Sequence, residues 1–110
     1  MPNETADIPP GTLHMLILKT LQRGPLHGYA IAQRIHLISE DVLQIEEGSL
    51  YPALQRILVK GWVTADWTQS ETGRRVRVYK LTPAGRKQLS TEISQFDHVM
   101  KAVYKVIEAS

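Results

Sequence analysis

Near residue 61 the hydrophobic periodicity of the chain changes. Before it, apolar residues recur every three or four positions in three segments, which predicts three helices. After it, residues 62–69 and 74–81 alternate in polarity and are rich in β-branched and aromatic side chains, which predicts two strands. The turn between them contains Gly73, a residue able to adopt a positive φ. Such a hairpin is marginally stable alone, so we expect it to pack against the helices.

The three helices are predicted over residues 11–23, 28–39 and 49–60. Thr12 is the predicted cap of the first helix, and Gly61 stands just past the end of the third. Gly and Pro residues interrupt the helical pattern between residues 23 and 28. The first helix carries an apolar stripe of Leu13, Leu16, Ile17 and Leu21, and Met15 and Leu18 add apolar surface off this stripe. The second helix is expected to turn Ile31, Ile35 and Ile38 inward.

A fourth helix is predicted to begin after Thr82, a good N-cap, with Pro83 at its first position, where the missing N–H is not needed. Its apolar residues step by four and three, as in a heptad seam: Leu89, Ile93, Phe96, Met100, Val103 and Ile107. The seam could pack back on its own domain. However, a helix of roughly 25 residues is about 37 Å long, more than a domain of this size can cover. Pairing with the first helix of a second subunit would bury the seam together with Leu13, Leu16 and Ile17.

The order helix, helix, helix, hairpin, helix is that of a winged helix-turn-helix protein. The predicted fold class is therefore mainly α with a small β-hairpin, a winged helix-turn-helix followed by a long C-terminal dimerisation helix. We expect a flexible N-terminal tail at 1–10, a DNA-binding domain at 11–81 and the dimerisation helix at 82–110.

The third helix is the predicted recognition helix, because the second helix of a helix-turn-helix enters the major groove and its N-terminal residues reach the bases. Pro52 is expected in its first turn, where no amide hydrogen bond is lost, and Ser49 is expected to cap it. Tyr51 at the exposed tip, and Gln55 and Arg56 one turn later, are candidates for contacts to phosphates or base edges. Alternatively, Tyr51 covers the hydrophobic core beside the hairpin.

The net charge of +2 is unevenly distributed. Residues 1–48 carry three basic and six acidic side chains, whereas residues 49–110 carry ten basic and five acidic ones. Arg74 and Arg75 follow the turn glycine, near the tip of the predicted hairpin, where a wing can reach the minor groove or the adjacent backbone of DNA. Arg77 and Lys80 point to opposite faces of their strand by alternation. A solvated hairpin with scattered salt bridges is the alternative explanation of these charges.

The amino-acid composition argues against several other classes of protein. The absence of cysteine excludes a disulfide framework, a thiolate metal site and a cysteine nucleophile. The four histidines lack metal-binding spacing, and no catalytic triad or Gly-rich phosphate loop is present, so we expect no enzyme, no metal and no cofactor. The first ten residues do not resemble a signal peptide, and no run is long enough to span a bilayer. We therefore expect a cytoplasmic protein without membrane contact.

Three segments resemble the PadR-type transcriptional regulators of the compact kind with one C-terminal helix. They are "LHGYAIAQRI" (26–35), "GSLYPALQRILVKGWV" (48–63) and "GRRVRVYKLTPAGRKQL" (73–89). A Tyr-Pro pair at a helix start, followed by a wing that ends in Leu-Thr-x-x-Gly-Arg, distinguishes this pattern from MarR or ArsR proteins. The resemblance implies a homodimeric, DNA-binding repressor. It places Ser49, Tyr51, Pro52 and Gln55 on the recognition helix and Arg74 and Arg75 on the basic wing.

Two features depart from the simplest family pattern. Glu46 and Glu47 precede the recognition helix and would repel nearby phosphates. Some compact relatives hold flat aromatic drugs between tryptophans at the dimer centre. Here Trp62 and Trp67 fall in the predicted hairpin, so the sequence does not predict such a pore.

The chief functional alternative is a winged-helix module that binds protein instead of DNA. Such modules usually lack a basic wing and a polar recognition face, both of which this sequence predicts. The expected partners are double-stranded DNA and a second copy of the chain. A small-molecule effector is compatible with the resemblance, but no residue pattern identifies one.

Overall fold

The computed structural model of the chain describes residues 5–9 and 11–110. Within these residues it contains four α-helices, a turn of 3-10 helix and three β-strands. In chain order they are α1 (Leu13–Thr20), the 3-10 turn (Leu21–Arg23), β1 (Leu26–His27), α2 (Gly28–Ile38), α3 (Glu47–Val59), β2 (Val63–Gln69), β3 (Arg75–Leu81) and α4 (Pro83–Glu108). The predicted fold class is confirmed.

One hydrophobic core lies between the helices α1 to α3, the sheet and the first turns of α4. Its members are Ile17, Leu18, Leu21, Ile31, Ile35, Leu50, Ala53, Leu54, Ile57, Val63, Tyr79, Leu81 and Leu89. Leu18 is fully buried although it lies off the predicted stripe, because α1 is covered on two sides. The expectation for Ile38 is wrong, since this residue is 69% exposed. The helix ends there, with the amide of Ser39 bonded back to the carbonyl of Ile35.

Helix α3 begins two residues earlier than predicted, and this changes the role of Pro52. Glu46 is the N-cap, and its carbonyl accepts the amides of Ser49 at 3.0 Å and Leu50 at 2.9 Å. Ser49 is therefore a first-turn residue and not the cap. Pro52 is the sixth residue of the helix, so the carbonyl of Gly48 receives no helical hydrogen bond from position 52. Both residues are exposed, and water can reach that carbonyl.

The sheet has three antiparallel strands in the order β1-β3-β2, one more than predicted. The predicted hairpin is confirmed, with Val63 opposite Leu81 at its base and Gln69 opposite Arg75 near its tip. The additional strand β1 pairs Leu26 with Tyr79. It is only two residues long and lies in the Gly- and Pro-containing segment, so no alternation marks it in the sequence.

Helix α4 is anchored to the end of α3 through its N-cap. The hydroxyl of Thr82 accepts the amide of Gly85 at 3.0 Å and donates to the carbonyl of Gly61 at 2.7 Å. The predicted roles of Thr82 and Pro83 are confirmed. Gly61 has a φ of 77°, as a glycine just past a helix end should. From this anchor, 26 residues of helix run outward, and the molecule is 59 Å long in its largest dimension.

The segment before α1 runs beside the entry to α3. The amide of Ala6 donates to the carbonyl of Val42 at 2.7 Å, which forms a parallel bridge between Ala6 and Leu43. Residues 1–4 and 10 of the predicted flexible tail lie outside the described residues, and the flexibility of the tail stays a prediction.

Candidate nucleic-acid interface

Helix α3 buries one face and leaves the opposite face free. Leu50, Ala53, Leu54 and Ile57 enter the core. The outward line contains Gly48, Pro52, Gln55 and Val59, all exposed and spaced by three or four residues. This face carries little charge. Near the N-terminus of α3 it consists of the small residues Gly48 and Pro52, which would let the helix approach another surface closely.

Tyr51 borders this face on the side of α2. Its ring lies against Gly28, so close that a Cβ atom at position 28 would stand 3.1 Å from Cε1 of the tyrosine. The side chain is nevertheless 46% exposed. One edge of the ring therefore packs against the start of α2 and the rest faces solvent, and contact between Tyr51 and DNA stays a prediction.

Ser49 and Arg56 border the face on the other side, next to the N-terminal segment. A cavity of about 480 Å³ lies here, and its lining includes these two residues together with Pro52, Asp7 and Glu46. The two carboxylates make this side less favourable for a phosphate than the β2–β3 hairpin, which is the wing of the winged helix-turn-helix. The conflict expected from Glu46 and Glu47 thus falls at the N-terminal end of α3, where both residues are exposed.

The side chain of Arg56 is held by His14, a residue that sequence reasoning did not connect with this surface. Arg56 Nε donates to His14 Nε2 at 3.2 Å, which requires a neutral imidazole with its proton on Nδ1. The His14 ring also meets Trp62 edge-on, with centroids 6.3 Å apart. Burial lowers the pKa of His14 from its ordinary value of 6.5; the Arg56 and Lys60 charges lower it further, while Glu92 opposes them. No spacing rule links residues 14 and 56, so only the structure reveals this pair.

The tip of the β2–β3 hairpin is a tightly bonded turn. The amide of Ser70 donates to the carbonyl of Arg74 at 2.7 Å, and the amide of Gly73 donates to the carbonyl of Ser70 at 2.9 Å. Gln69 Nε2 donates to the carbonyl of Gly73 at 3.1 Å, and Gly73 has the predicted positive φ, 84°. These bonds fix the backbone on which the exposed Arg74 and Arg75 stand.

One face of the wing combines basic and aromatic side chains. Trp67 on β2 pairs with Arg77 on β3, and by strand alternation Arg75 and Tyr79 share this face. The guanidinium carbon of Arg75 lies 4.8 Å from the centre of the Trp67 ring. That of Arg77 lies 5.8 Å from Trp67 and 5.9 Å from Tyr79. Arg74 precedes the strand and does not belong to this cluster.

The residues predicted for dimerisation divide into two groups. Ile17 and Leu89 are 0% and 2% exposed in the core of this chain, so they are not available to a partner, and their assignment to an intersubunit surface is corrected. The others remain accessible. Leu13, Leu16, Ile93, Phe96 and Met100 are half-buried, and Val103 and Ile107 are exposed. A groove of about 330 Å³ between α1 and α4 includes Met15, Phe96, Val99 and Met100 in its lining.

The described residues contain no group of three or more His, Asp or Glu side chains that could hold a metal ion. None of the helices within residues 5–9 and 11–110 is long and apolar enough to cross a membrane. His27 serves as the N-cap of α2, where its Nδ1 accepts the amide of Ala30 at 3.3 Å.

Three helices with a free third-helix face, a basic wing beside it and a projecting terminal helix define a winged helix-turn-helix protein. The model of the transcriptional regulator PadR-like family matches residues 17–91. The chain therefore belongs to the PadR-like family and is a transcriptional regulator.

Solved structures agree with this membership. A transcriptional regulator of Clostridium thermocellum is 26% identical with a TM-score of 0.83, covering 89% of this chain and 95% of that chain. A PadR family transcriptional regulator of Eggerthella lenta is 28% identical with a TM-score of 0.79, covering 91% of this chain and 85% of that chain.

Two curated relatives are also similar. An uncharacterised 37.1 kDa protein in the transposon Tn4556 of Streptomyces fradiae is 40% identical over 91 residues, which are 83% of this chain and 25% of that protein. The chain thus spans about a quarter of that relative. An uncharacterised protein of Lysinibacillus sphaericus is 28% identical over 98 residues, or 89% of this chain and 90% of that protein.

Proposed function

We propose that this transcriptional regulator is a homodimer that binds double-stranded DNA sequence-specifically at a palindromic operator and represses transcription from it. The observation that carries the proposal is the pairing of a free, nearly uncharged α3 face with a basic wing whose tip is fixed by hydrogen bonds. No catalytic step is included, and a regulator that binds chromosomal DNA would act in the cytoplasm.

In the proposed complex, α3 lies in the major groove. Gly48 and Pro52 let the helix approach closely, while Tyr51 and Gln55 face the bases or the sugar–phosphate backbone. Ser49 and Arg56 flank this contact on the side nearest the N-terminal segment. The wing places Arg74 and Arg75 along the adjacent backbone or the minor groove. Each phosphate contact made by a wing arginine would add about one unit to the salt dependence of binding.

The C-terminal half of α4 supports the dimer. Val99, Val103, Tyr104, Val106 and Ile107 are 39–78% exposed, and a cluster of exposed apolar side chains is typical of a protein–protein interface. Pairing this half of α4 with the accessible α1 residues of a second subunit, Leu13 and Leu16, would cover it. A two-fold dimer would then present two recognition helices to two half-sites.

The proposal is tested by fluorescence anisotropy. A binding site is first selected from random duplexes, and the affinity for it is then compared with that for a scrambled duplex over a series of salt concentrations. We expect at least about a thousandfold preference for the selected duplex and a steep salt dependence.

Charge reversal supplies the matched pair of variants. Arg74→Glu with Arg75→Glu should abolish specific binding. Arg86→Glu with Lys87→Glu makes the same change in net charge near the base of the hairpin and should leave most of the binding intact. Equal losses in both variants would show that overall charge, and not the wing, determines the affinity. Failure to select any duplex would favour the protein-binding alternative.

A further inference from the structure

The wing carries one large aromatic side chain, Trp67, that lies outside the hydrophobic core. Trp67 is 59% exposed on β2, between the exposed polar residues Asp66 and Thr68. It does not belong to the hydrophobic core or to the partly buried residues packed against it. A tryptophan left largely in water on a short strand gains little from burial, so what distinguishes it is the set of side chains that it contacts.

The contacts of Trp67 are with arginines. Arg75 lies over its ring at 4.8 Å, within the distance of a cation–π pair. Arg77 stands between Trp67 and Tyr79, and its Nε is shielded from solvent without a hydrogen-bond partner. The indole thus contacts two arginines, of which Arg75 is the nearer and is exposed, whereas Arg77 is half-buried.

This arrangement orders a guanidinium without using up its donors. Stacking on an aromatic face engages the flat side of the guanidinium and leaves the N–H groups at its edge free for a planar, bidentate contact with phosphate. An exposed arginine at a wing tip would otherwise lose considerable side-chain entropy when DNA fixes it. A stack already formed in the free protein reduces that loss.

We propose that Trp67 is a positioning residue for DNA binding, whose indole holds the guanidinium of Arg75 ready for a backbone phosphate. The inference rests on the proposed function. It assigns a role to a residue that does not itself need to touch DNA, and it separates Arg75, which is stacked, from Arg74, which is not.

The test is a double-mutant cycle on the selected duplex, with the variants Trp67→Leu, Arg75→Ala and their combination. Trp67→Leu should weaken binding about two- to fivefold with an unchanged salt slope, because the phosphate contact is still made but costs more to form. Arg75→Ala should weaken binding and lower the salt slope by about one. In the Arg75→Ala background, Trp67→Leu should have no further effect.

Two additional variants separate positioning from a structural role. Trp67→Phe keeps an aromatic face and should restore part of the affinity. Thr68→Leu introduces the same leucine on the opposite face of β2 and should leave affinity unchanged. In the free protein, the Nε–H resonance of Arg75 should move in Trp67→Leu, since the ring current of the indole is lost, while the melting temperature stays the same.

The outcomes are distinct. If Trp67→Leu weakens binding equally with and without Arg75, the ring acts on binding independently of Arg75 and the proposed positioning role is wrong. If Trp67→Leu binds like the unaltered protein, or if the Arg75 resonance does not move, the stack has no role. If the unaltered protein selects no duplex, the proposed function itself fails and this inference fails with it. Whether the unaltered protein binds a selected duplex is decided by the salt series on that protein, separately from the double-mutant cycle of Trp67 and Arg75.

Discussion

Gly85 stands where the first turn of α4 crosses the end of α3, and no side chain fits there. A Cβ atom at this position would overlap the carbonyl oxygen of Trp62 and lie 2.8 Å from Cδ1 of Leu81. We expect Gly85→Ala to lower the free energy of unfolding by about 3 kcal/mol, since backbone atoms cannot yield as a flexible side chain does. Chemical denaturation measures the change.

Gly48→Ala is the matched control for this substitution. Position 48 also lies in the first turn of a helix, but a Cβ there meets nothing within 4 Å. The free energy of unfolding of the Gly48→Ala variant should be unchanged or rise by up to about 1 kcal/mol, because alanine has the higher helix propensity. Equal destabilisation of both variants would contradict the argument from close approach.

His14 makes the stability of the protein depend on pH. Burial and the nearby Arg56 lower its pKa in the folded state, so the unfolded chain binds a proton more readily than the folded one. The free energy of unfolding should therefore fall as the pH drops below the ordinary value of 6.5 and continue to fall until the folded protein also takes up the proton. Protonation also removes the lone pair that accepts from Arg56.

His14→Gln isolates this effect, because glutamine can accept the Arg56 hydrogen bond but does not titrate. Between pH values of about 7.5 and about 5, the unaltered protein should lose more stability than the variant. Thermal melts across this range measure the difference. Identical pH profiles would show that the imidazole is not the titrating group.

At the residue level, the sequence predicted which side chains are exposed better than it predicted which side chains are in contact. Tyr51, Arg74 and Arg75 are exposed as expected, because helix position and the turn glycine suffice to place them. The Arg56–His14 hydrogen bond was not predictable, since it joins residues 42 positions apart with no periodicity between them. The Trp67–Arg75 stack follows from strand register, which a hairpin pattern fixes only once the turn length is known.

Among the elements, α4 is the one that its own domain cannot cover. Its buried residues are Gly85 and Leu89 near the start, whereas Val103 is 39% and Ile107 67% exposed. We expect Val103→Glu to weaken self-association at least about tenfold, because a carboxylate would be taken out of water without a partner. Sedimentation equilibrium over a range of protein concentrations measures the change.

His98→Glu introduces the same side chain on the opposite side of α4, where position 98 is exposed. It should leave self-association unchanged. If both variants weaken it equally, the effect is one of charge and not of the apolar seam. If neither does, the seam of α4 is not the interface.

The elements were predictable where a long pattern or a strong stop signal marks them. The hairpin, the Thr82–Pro83 start of α4 and the Gly61 end of α3 follow from alternation, capping and glycine chemistry. Strand β1 was missed because two residues carry no period. The start of α3 was predicted too late because a proline within a helix is usually found in its first turn. Here Pro52 lies one turn further in, on the exposed side of the helix.

For the whole molecule, the proposed complex requires that the two recognition helices be held at a fixed separation. Within one chain, α3 and α4 are joined through Gly61, Thr82 and Gly85, so a rigid pairing of two α4 helices would fix the distance between two α3 helices. Half-sites about one helical turn apart would then be read together. In the proposed complex, the geometry of the dimer would therefore set the spacing between the two half-sites.

Half-site spacing therefore supplies the last test. Inserting about 5 bp, half a helical turn, between the half-sites of the selected duplex should reduce the affinity to that of a single half-site, because the second site rotates to the far side of the DNA. Val103→Glu, compared with His98→Glu as before, should bind the intact and the lengthened duplex equally, since its subunits no longer bind as a pair. Anisotropy at fixed salt measures the affinity of the unaltered protein and of both variants for each of the two duplexes. If the unaltered protein also binds both duplexes equally, the recognition helices are not held rigidly by α4, and the dimer geometry proposed here is wrong.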